Sequence, residues 1–310
     1  MKNIKRNTIK LLHKFDHQSW SERDDENLDG FLDSVLEEDL GKNFVGKNGF
    51  PCDFSFPGKG KVFAHQNNDF VVAGFSLVSR LIEKFDKDLK ISSVWRDGDL
   101  ISEKNSEPLL SLEGRCDSIL TLERTLLNII SHLSGIATTT KQFVDAVAGS
   151  SVKILDTRKT TPAIRQFEKY AVRCGGGSNH RFGFYDAMMI KDTYIDAFPG
   201  GLASLLEKLK SSNDLKLPVI CEIGSISDLM IILTIRPPIK RILLDNMSPF
   251  QVKESVTKIN GLYETEASGG INIETVREYA KTGVNYISIG SIVYGLKRID
   301  LTMKTSTKQR

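Results

Sequence analysis

The sequence predicts an α/β protein whose second half is a parallel sheet built from strand-then-helix units. Three observations carry this prediction. From Val152 onward, short apolar runs alternate with amphipathic stretches at spacings of roughly 20 to 35 residues, the interval a strand and its return helix need. Most of the runs are apolar, as in strands covered on both faces. Each run ends in a charge or a small glycine turn. In a parallel barrel those strand-end loops share one face, and that face carries the chemistry. A doubly wound open sheet is the structural alternative.

Taken in order, residues 1–14 hold several lysines and one arginine, with no acid before Asp16. A short basic helix is expected there, with a transit peptide as the alternative. A helix is expected over 28–40, with Leu28, Phe31, Leu32, Val35 and Leu36 on one face and Gly41 at its end. A loop rich in Gly, Asn and Pro follows. Runs 61–64 and 70–73 read as strands joined by a polar turn at 67–69. An amphipathic helix is expected over 75–85, a turn over 96–99 and a strand over 109–114. Together these make a small sheet with helices packed on it. Leu122, Leu126, Ile129, Ile130 and Leu133 repeat at helical spacing within 120–148, and Ser134-Gly135 suggests a break there.

In the second half the expected strands are 152–155, 187–190, 218–221, 242–244, 262–267 and 286–289. Helices are expected over 201–210, 226–234, 249–259 and 272–281. Between the first two strands, Pro162 suits the first turn of a helix and Gly175-Gly-Gly177 its end. From Thr302 the chain is polar and is expected to fray.

The 310 residues suffice for one large or two moderate domains. No apolar run approaches membrane-spanning length. A net charge of +3 is too small to argue for a nucleic-acid partner, and none is expected; the positive charge that matters is local. Cys52, Cys116, Cys174 and Cys221 lie far apart with no C-x-x-C pair. That spacing offers neither a disulfide frame nor a zinc site, and it suits a reducing compartment, the cytoplasm.

The candidate functional residues cluster at the strand ends. They are Arg158-Lys159, Lys191-Asp192, Glu222, Asp245-Asn246, Ser268-Gly269-Gly270 and Gly290-Ser291, with His180-Arg181 on the loop between the first two strands. Any one of these cations alone reads as solvated surface. Together they read as a bowl for a substrate with several negative charges. Arg158, Arg181 and His180 suit carboxylates, which a guanidinium binds bidentately. The glycine turns after the last two strands suit a phosphate at helix N-termini. Glu222 and Asp245 could bind ribose hydroxyls, hold Mg²⁺ or stabilise an oxocarbenium-like centre. A glycosidase pair is less favoured, because the nearby cations should depress both carboxyl pKa values and leave no protonated acid. Lys159 or Lys191 could instead form a Schiff base, as a barrel lyase does. Arg124, beside Glu123 within a helix, reads from spacing as an intrahelical ion pair of little worth.

Seven motifs then carry a resemblance. Thr157-Arg-Lys-Thr-Thr-Pro162, Glu168-Lys-Tyr-Ala171, Gly175-Gly-Gly-Ser-Asn-His-Arg181, Ile190-Lys-Asp192, Leu244-Asp-Asn-Met247, Glu266-Ala-Ser-Gly-Gly270 and Tyr286-Ile-Ser-Ile-Gly290 resemble the quinolinate phosphoribosyltransferase family. Upstream, Glu123-Arg-Thr-Leu-Leu-Asn128 and Leu133-Ser-Gly-Ile-Ala-Thr138 match as well. The resemblance is dense from about 120 to 292 and thin before that. It implies an N-terminal α/β sandwich (1–134, with the tail 296–310 packed on it) and an open seven-stranded α/β, TIM-like barrel (135–295). The implied activity converts quinolinate and phosphoribosyl pyrophosphate, with Mg²⁺, to nicotinate mononucleotide, pyrophosphate and CO₂ in NAD synthesis. The implied assembly is a homodimer or an assembly of dimers, with Arg124 lent across the interface. Lys159, Glu222 and Asp245 match the family's catalytic positions, the two acids also being its metal side. Arg124, Arg158, His180, Arg181 and Lys191 match substrate-binding positions. Ser268, Gly269, Gly270, Gly290 and Ser291 match the 5′-phosphate loops. Three places depart from the family's pattern: Thr193-Tyr194, Ile220 to Gly224, and Ser291 to Tyr294. They leave open a paralogue with another acceptor, such as a molybdenum-associated relative.

Overall fold

The computed structural model describes residues 22–42, 53–65, 67–212 and 215–307, with side chains in the first helix from Leu28 on. The basic segment 1–14 and Cys52 lie outside the described residues. The chain divides into two compact units, Met1–Thr138 with Lys297–Arg310, and Thr139–Leu296.

In the first unit, α1 (Glu22–Leu40) buries Leu28 and Leu32. The strands are β1 (Pro57–Ala64), β2 (Phe70–Val71), β3 (Lys90–Ser92), β4 (Leu100–Ile101) and β5 (Leu110–Arg115), and α2 (Phe75–Phe85) follows β2. The expected hairpin between 61–64 and 70–73 does not form: β1 pairs with β5, and β2 pairs with β4. The reason lies in burial. Phe70, Val71, Val72 and Ala73 are all buried, so this run has no solvent face to offer as a hairpin arm. The amides of Val71 and Ala73 go to side chains, Val71 N to Thr138 Oγ1 at 3.0 Å and Ala73 N to Ser134 Oγ at 2.9 Å.

The second of these bonds also explains α3 (Cys116–Ala146), which runs unbroken through Ser134-Gly135. A mid-helix serine disturbs a helix when its hydroxyl competes for backbone groups. The Ser134 hydroxyl is engaged with Ala73, accepting from its N and donating to its O at 3.2 Å.

In the second unit the strands are β6 (Lys153–Leu155), β7 (Met188–Ile190), β8 (Val219–Ile223), β9 (Arg241–Asp245), β10 (Glu264–Ser268) and β11 (Tyr286–Ser288). All are parallel, in the order β6-β11-β10-β9-β8-β7. A parallel bridge from Leu155 to Ser178 adds a seventh segment beside β6. The intervening helices are α4 (Arg165–Cys174), α5 (Asp192–Ala197), α6 (Gly201–Lys210), α7 (Ile226–Ile235), α8 (Pro249–Ile259), α9 (Val276–Ala280) and α10 (Ser291–Tyr294). Local chemistry sets their starts. Ser248 and Gln251 close a capping box with Pro249 in the first turn of α8. The helix expected over 272–281 is shorter, because the Asn272 carboxamide captures the amides of Glu274 and Thr275 at 3.0 Å and holds a turn first. Pro162 likewise sits in a turn ahead of α4 rather than inside it.

The last strand, β12 (Leu301–Thr307), belongs to the first unit. It pairs antiparallel with β1 from Leu301↔Ala64 to Thr307↔Gly58. The frayed polar end expected from Thr302 is therefore corrected over these residues. An edge strand is held by its main chain, which needs no apolar side chains.

Candidate active site

The rim of the parallel sheet is built around His180. Behind it, Asp156 follows β6 and is fully buried with Lys169 of α4. Lys169 Nζ donates to Asp156 Oδ1 and, at 2.8 Å, to His180 O. Asp156 also accepts from His180 N at 2.8 Å and from the Asn179 side chain at 2.5 Å. This buried pair therefore grips both ends of the His180 main chain. Burial pushes the Asp156 carboxyl up and the Lys169 ammonium down, each opposed by its partner.

The His180 ring is equally constrained. Its Nδ1 accepts from Arg181 N at 2.7 Å, which leaves the ring proton on Nε2. Nε2 lies 3.2 Å from Oε1 of the fully buried Glu266. Burial would raise the Glu266 carboxyl, but His180, Ser288 and Arg241 outweigh it and hold it below its ordinary value. Arg241 Nη1 donates to Glu266 Oε2 at 2.7 Å.

Arg181 Nη1 donates to Ala187 O at 3.0 Å. Burial and the neighbouring Arg158 lower its pKa. Both guanidiniums lie over the Phe184 ring, at 4.7 Å for Arg158 and 5.2 Å for Arg181. Two like charges thus share one aromatic ring, an arrangement that favours an anion beside them.

On the other side, Lys191 leads into α5 with Nζ 3.6 Å from Glu222 Oε2. Glu222 lies inside β8, not past its end, and Asp245 closes β9. Contrary to the expectation from sequence, the cations do not depress either carboxyl below its ordinary value. Burial raises Glu222 and Asp245 above their ordinary values, and the two acids' own repulsion adds to it at Glu222. Lys191 and Lys159 oppose this without reversing it, because half-buried carboxyls lose more hydration than partly exposed lysines return.

A cavity of about 320 Å³ opens among these groups. Of the sequence-derived candidates, Arg158, Lys159, His180, Arg181, Lys191, Glu222, Asp245 and Ser268 line it. Thr157, Glu266 and Ser288 line it too, over an apolar floor that includes Met189 and Leu243, and the strand-end pattern marks none of these as site residues. Glu266 left two traces in the sequence, an acid inside a run expected to be a buried strand and the first residue of the motif 266–270. Gly269, Gly270, Gly290 and Ser291 are outside the lining and shape the adjoining turns. Gly269 has φ +94°, and a Cβ there would collide with the Asn246 side chain. At Gly290 a Cβ would lie 2.7 Å from Tyr294 Cε1 and 3.1 Å from Lys159 Cδ. Of the departures, Tyr294 covers Gly290. Arg124 is exposed on α3 in the first unit and makes no ion pair among the described residues, against the spacing argument.

Comparison with known proteins gives one consistent result. Residues 54–134 match the profile of the quinolinate phosphoribosyl transferase N-terminal domain, and residues 136–304 that of its C-terminal domain. The chain is 35% identical over 300 residues to quinolinate phosphoribosyltransferase [decarboxylating] 1b of Nicotiana tabacum, covering 91% of this chain and 83% of that protein. It is 36% identical over 233 residues to a probable nicotinate-nucleotide pyrophosphorylase [carboxylating] of Bacillus subtilis (strain 168), covering 75% and 79%. Among solved structures, the nicotinate-nucleotide pyrophosphorylase of Francisella tularensis superposes with a TM-score of 0.81 at 31% identity, over 91% of this chain and 96% of that one.

Proposed function

The chain belongs to the quinolinate phosphoribosyltransferase family, and from that premise we propose how its barrel rim works. It is a pentosyltransferase. It moves the phosphoribosyl group of phosphoribosyl pyrophosphate onto quinolinate with decarboxylation, a step of NAD synthesis that yields nicotinate mononucleotide, pyrophosphate and CO₂.

In this proposal Arg158, His180 and Arg181 hold the two carboxylates of quinolinate. One observation carries it. Arg158 Nε and His180 Nε2 are buried nitrogens of the cavity residues with no hydrogen-bond acceptor among the described residues. Buried donors left open are costly unless a ligand completes them. Two such donors over an apolar floor fit a flat ring that carries two acids. Ser268, Gly269, Gly270, Gly290 and Ser291 cradle the 5′-phosphate with backbone amides. Lys159 and Lys191 face the diphosphate and the ring.

Glu222 and Asp245 oppose the positive charge that grows on the sugar carbon as pyrophosphate leaves. They are also the residues that would hold Mg²⁺. No group of three or more His, Cys, Asp or Glu suited to a metal exists among the described residues. Two carboxylates plus phosphate oxygens are nonetheless the donors Mg²⁺ takes with a nucleotide-like substrate. When bound, the ion would neutralise the leaving pyrophosphate. After CO₂ departs, the surrounding cations offset the electron density left on the ring carbon until that carbon takes up a proton from water, giving the C–H bond of the product. Holding two anionic reactants side by side supplies much of the rate. A Schiff-base lyase fits poorly, since Lys159 is exposed and Lys191 faces Glu222, whereas such lysines work from desolvated pockets.

The proposal includes a homodimer, or an assembly of dimers, in which the exposed Arg124 serves a partner's site. No helix among the described residues is long and apolar enough to cross a membrane. The buried free thiols of Cys116 and Cys221 suit a reducing compartment, for which we propose the cytoplasm. Some relatives carry chloroplastic or mitochondrial in their names, so cell fractionation is the deciding measurement. The functional test mixes protein, quinolinate, phosphoribosyl pyrophosphate and Mg²⁺ and follows nicotinate mononucleotide. Phosphoribosyl transfer to a different pyridine alone would overturn the choice of acceptor. Arg124→Ala, with sedimentation to establish the assembly, tests the shared arginine: an unchanged rate rejects it.

A further inference from the structure

Arg241, Glu266 and His180 form a line from the start of β9, across β10, to the cavity. Arg241 is more than satisfied along it. Its Nη1 meets Glu266 Oε2 at 2.7 Å, its Nε and Nη2 meet Glu264 Oε2 at 3.2 and 3.1 Å, and its guanidinium lies 3.8 Å above the Tyr286 ring. Glu264 alone could balance its charge. Glu266 is therefore not needed merely as a counter-ion, and its second oxygen is free of that duty. Oε1 is buried in the cavity wall, 3.2 Å from His180 Nε2, yet the two atoms lack hydrogen-bond alignment. The imidazole is pinned from its other side by the Arg181 amide. Its Nε2 proton thus lies under the pull of a fixed carboxylate while staying available to a ligand in the cavity.

We infer that Glu266, held by Arg241, is a positioning residue for the acceptor: it keeps the His180 ring turned and its proton on Nε2, so that this N–H meets a pyridine carboxylate. The inference rests on the proposed reading of the site. It adds two residues that act through His180 rather than on the substrate.

The test is Glu266→Gln. Glutamine keeps the volume, and Arg241 keeps Glu264, so the fold should survive. If the carboxamide oxygen of the variant stays on Arg241, its NH₂ group faces the N–H of His180, and the ring must turn. Binding of quinolinate, followed by calorimetry, should weaken at least about tenfold, with phosphoribosyl pyrophosphate binding within about twofold of wild type. In a His180→Ala background the same substitution should cost less than about twofold, because its route of action is gone. An unchanged quinolinate affinity overturns the inference. So does equal weakening for both substrates, or a full loss that persists without His180. On the unaltered protein, ¹⁵N spectra of His180 should show the proton on Nε2, and a proton on Nδ1 overturns the inference without any variant. If the unaltered protein neither binds nor converts quinolinate, the family reading fails instead, whatever Glu266 does.

Discussion

Asn246 donates its side-chain amide to the Asp245 carboxylate at 2.6 Å, from a left-handed backbone at φ +53°. Its own main-chain N–H reaches Ser268 O at 2.9 Å, tying the end of β9 to the end of β10. Asp245 and the turn after Ser268, proposed to face the sugar and its phosphate, are therefore joined through one residue in a conformation that asparagine tolerates better than most.

Two substitutions separate the roles of Asn246. Asn246→Gly keeps the left-handed backbone and loses only the amide, so stability should hold while turnover falls about tenfold. Asn246→Ala adds backbone strain and should cost a further ~1 kcal/mol of stability. Thermal melts alongside steady-state kinetics check both.

Gly290 sits between Tyr294 and Lys159. Its φ of −70° is ordinary, so Gly290→Ala introduces crowding without backbone strain. Tyr294 is exposed and can swing away, so the melting temperature should change little. Lys159 must yield as well, and kcat should drop. A normal kcat would show that Lys159 need not hold its place.

Lys159 and Arg158 should separate by kind of defect. Lys159 is exposed, so Lys159→Ala should abolish turnover with the fold intact, and unchanged activity would reject it as a central residue. Arg158→Lys keeps the charge but loses the fork and the flat contact with Phe184. Its KM for quinolinate should rise by about tenfold or more, with kcat less affected.

The raised carboxyl of Glu222 makes a pH prediction. Its folded pKa lies above the ordinary 4.5, so the folded state binds a proton more readily than the unfolded chain. Stability should therefore fall as pH rises from 4.5 through the raised value. Glu222→Gln removes that cost, so the variant should melt higher than wild type at neutral pH, lose activity, and lose its advantage below pH 4.5. Equal melting temperatures at neutral pH would show that Lys191 cancels the penalty of burial.

What the amino-acid order decided alone was local. Helices 75–85, 201–210 and 249–259 follow from local sequence, the last also from its capping box, and their observed bounds coincide with those readings. The six parallel strands and the charges at their ends were legible for the same reason. Tertiary structure decided what depends on distant partners: the pairing of β1 with β12 in place of a hairpin, the unbroken course of α3 past Ser134, and the meeting of Glu266 with His180. It also reversed the expected effect on Glu222 and Asp245. Proximity of charges can be guessed from a string of residues, but loss of hydration depends on how deeply the whole chain buries them.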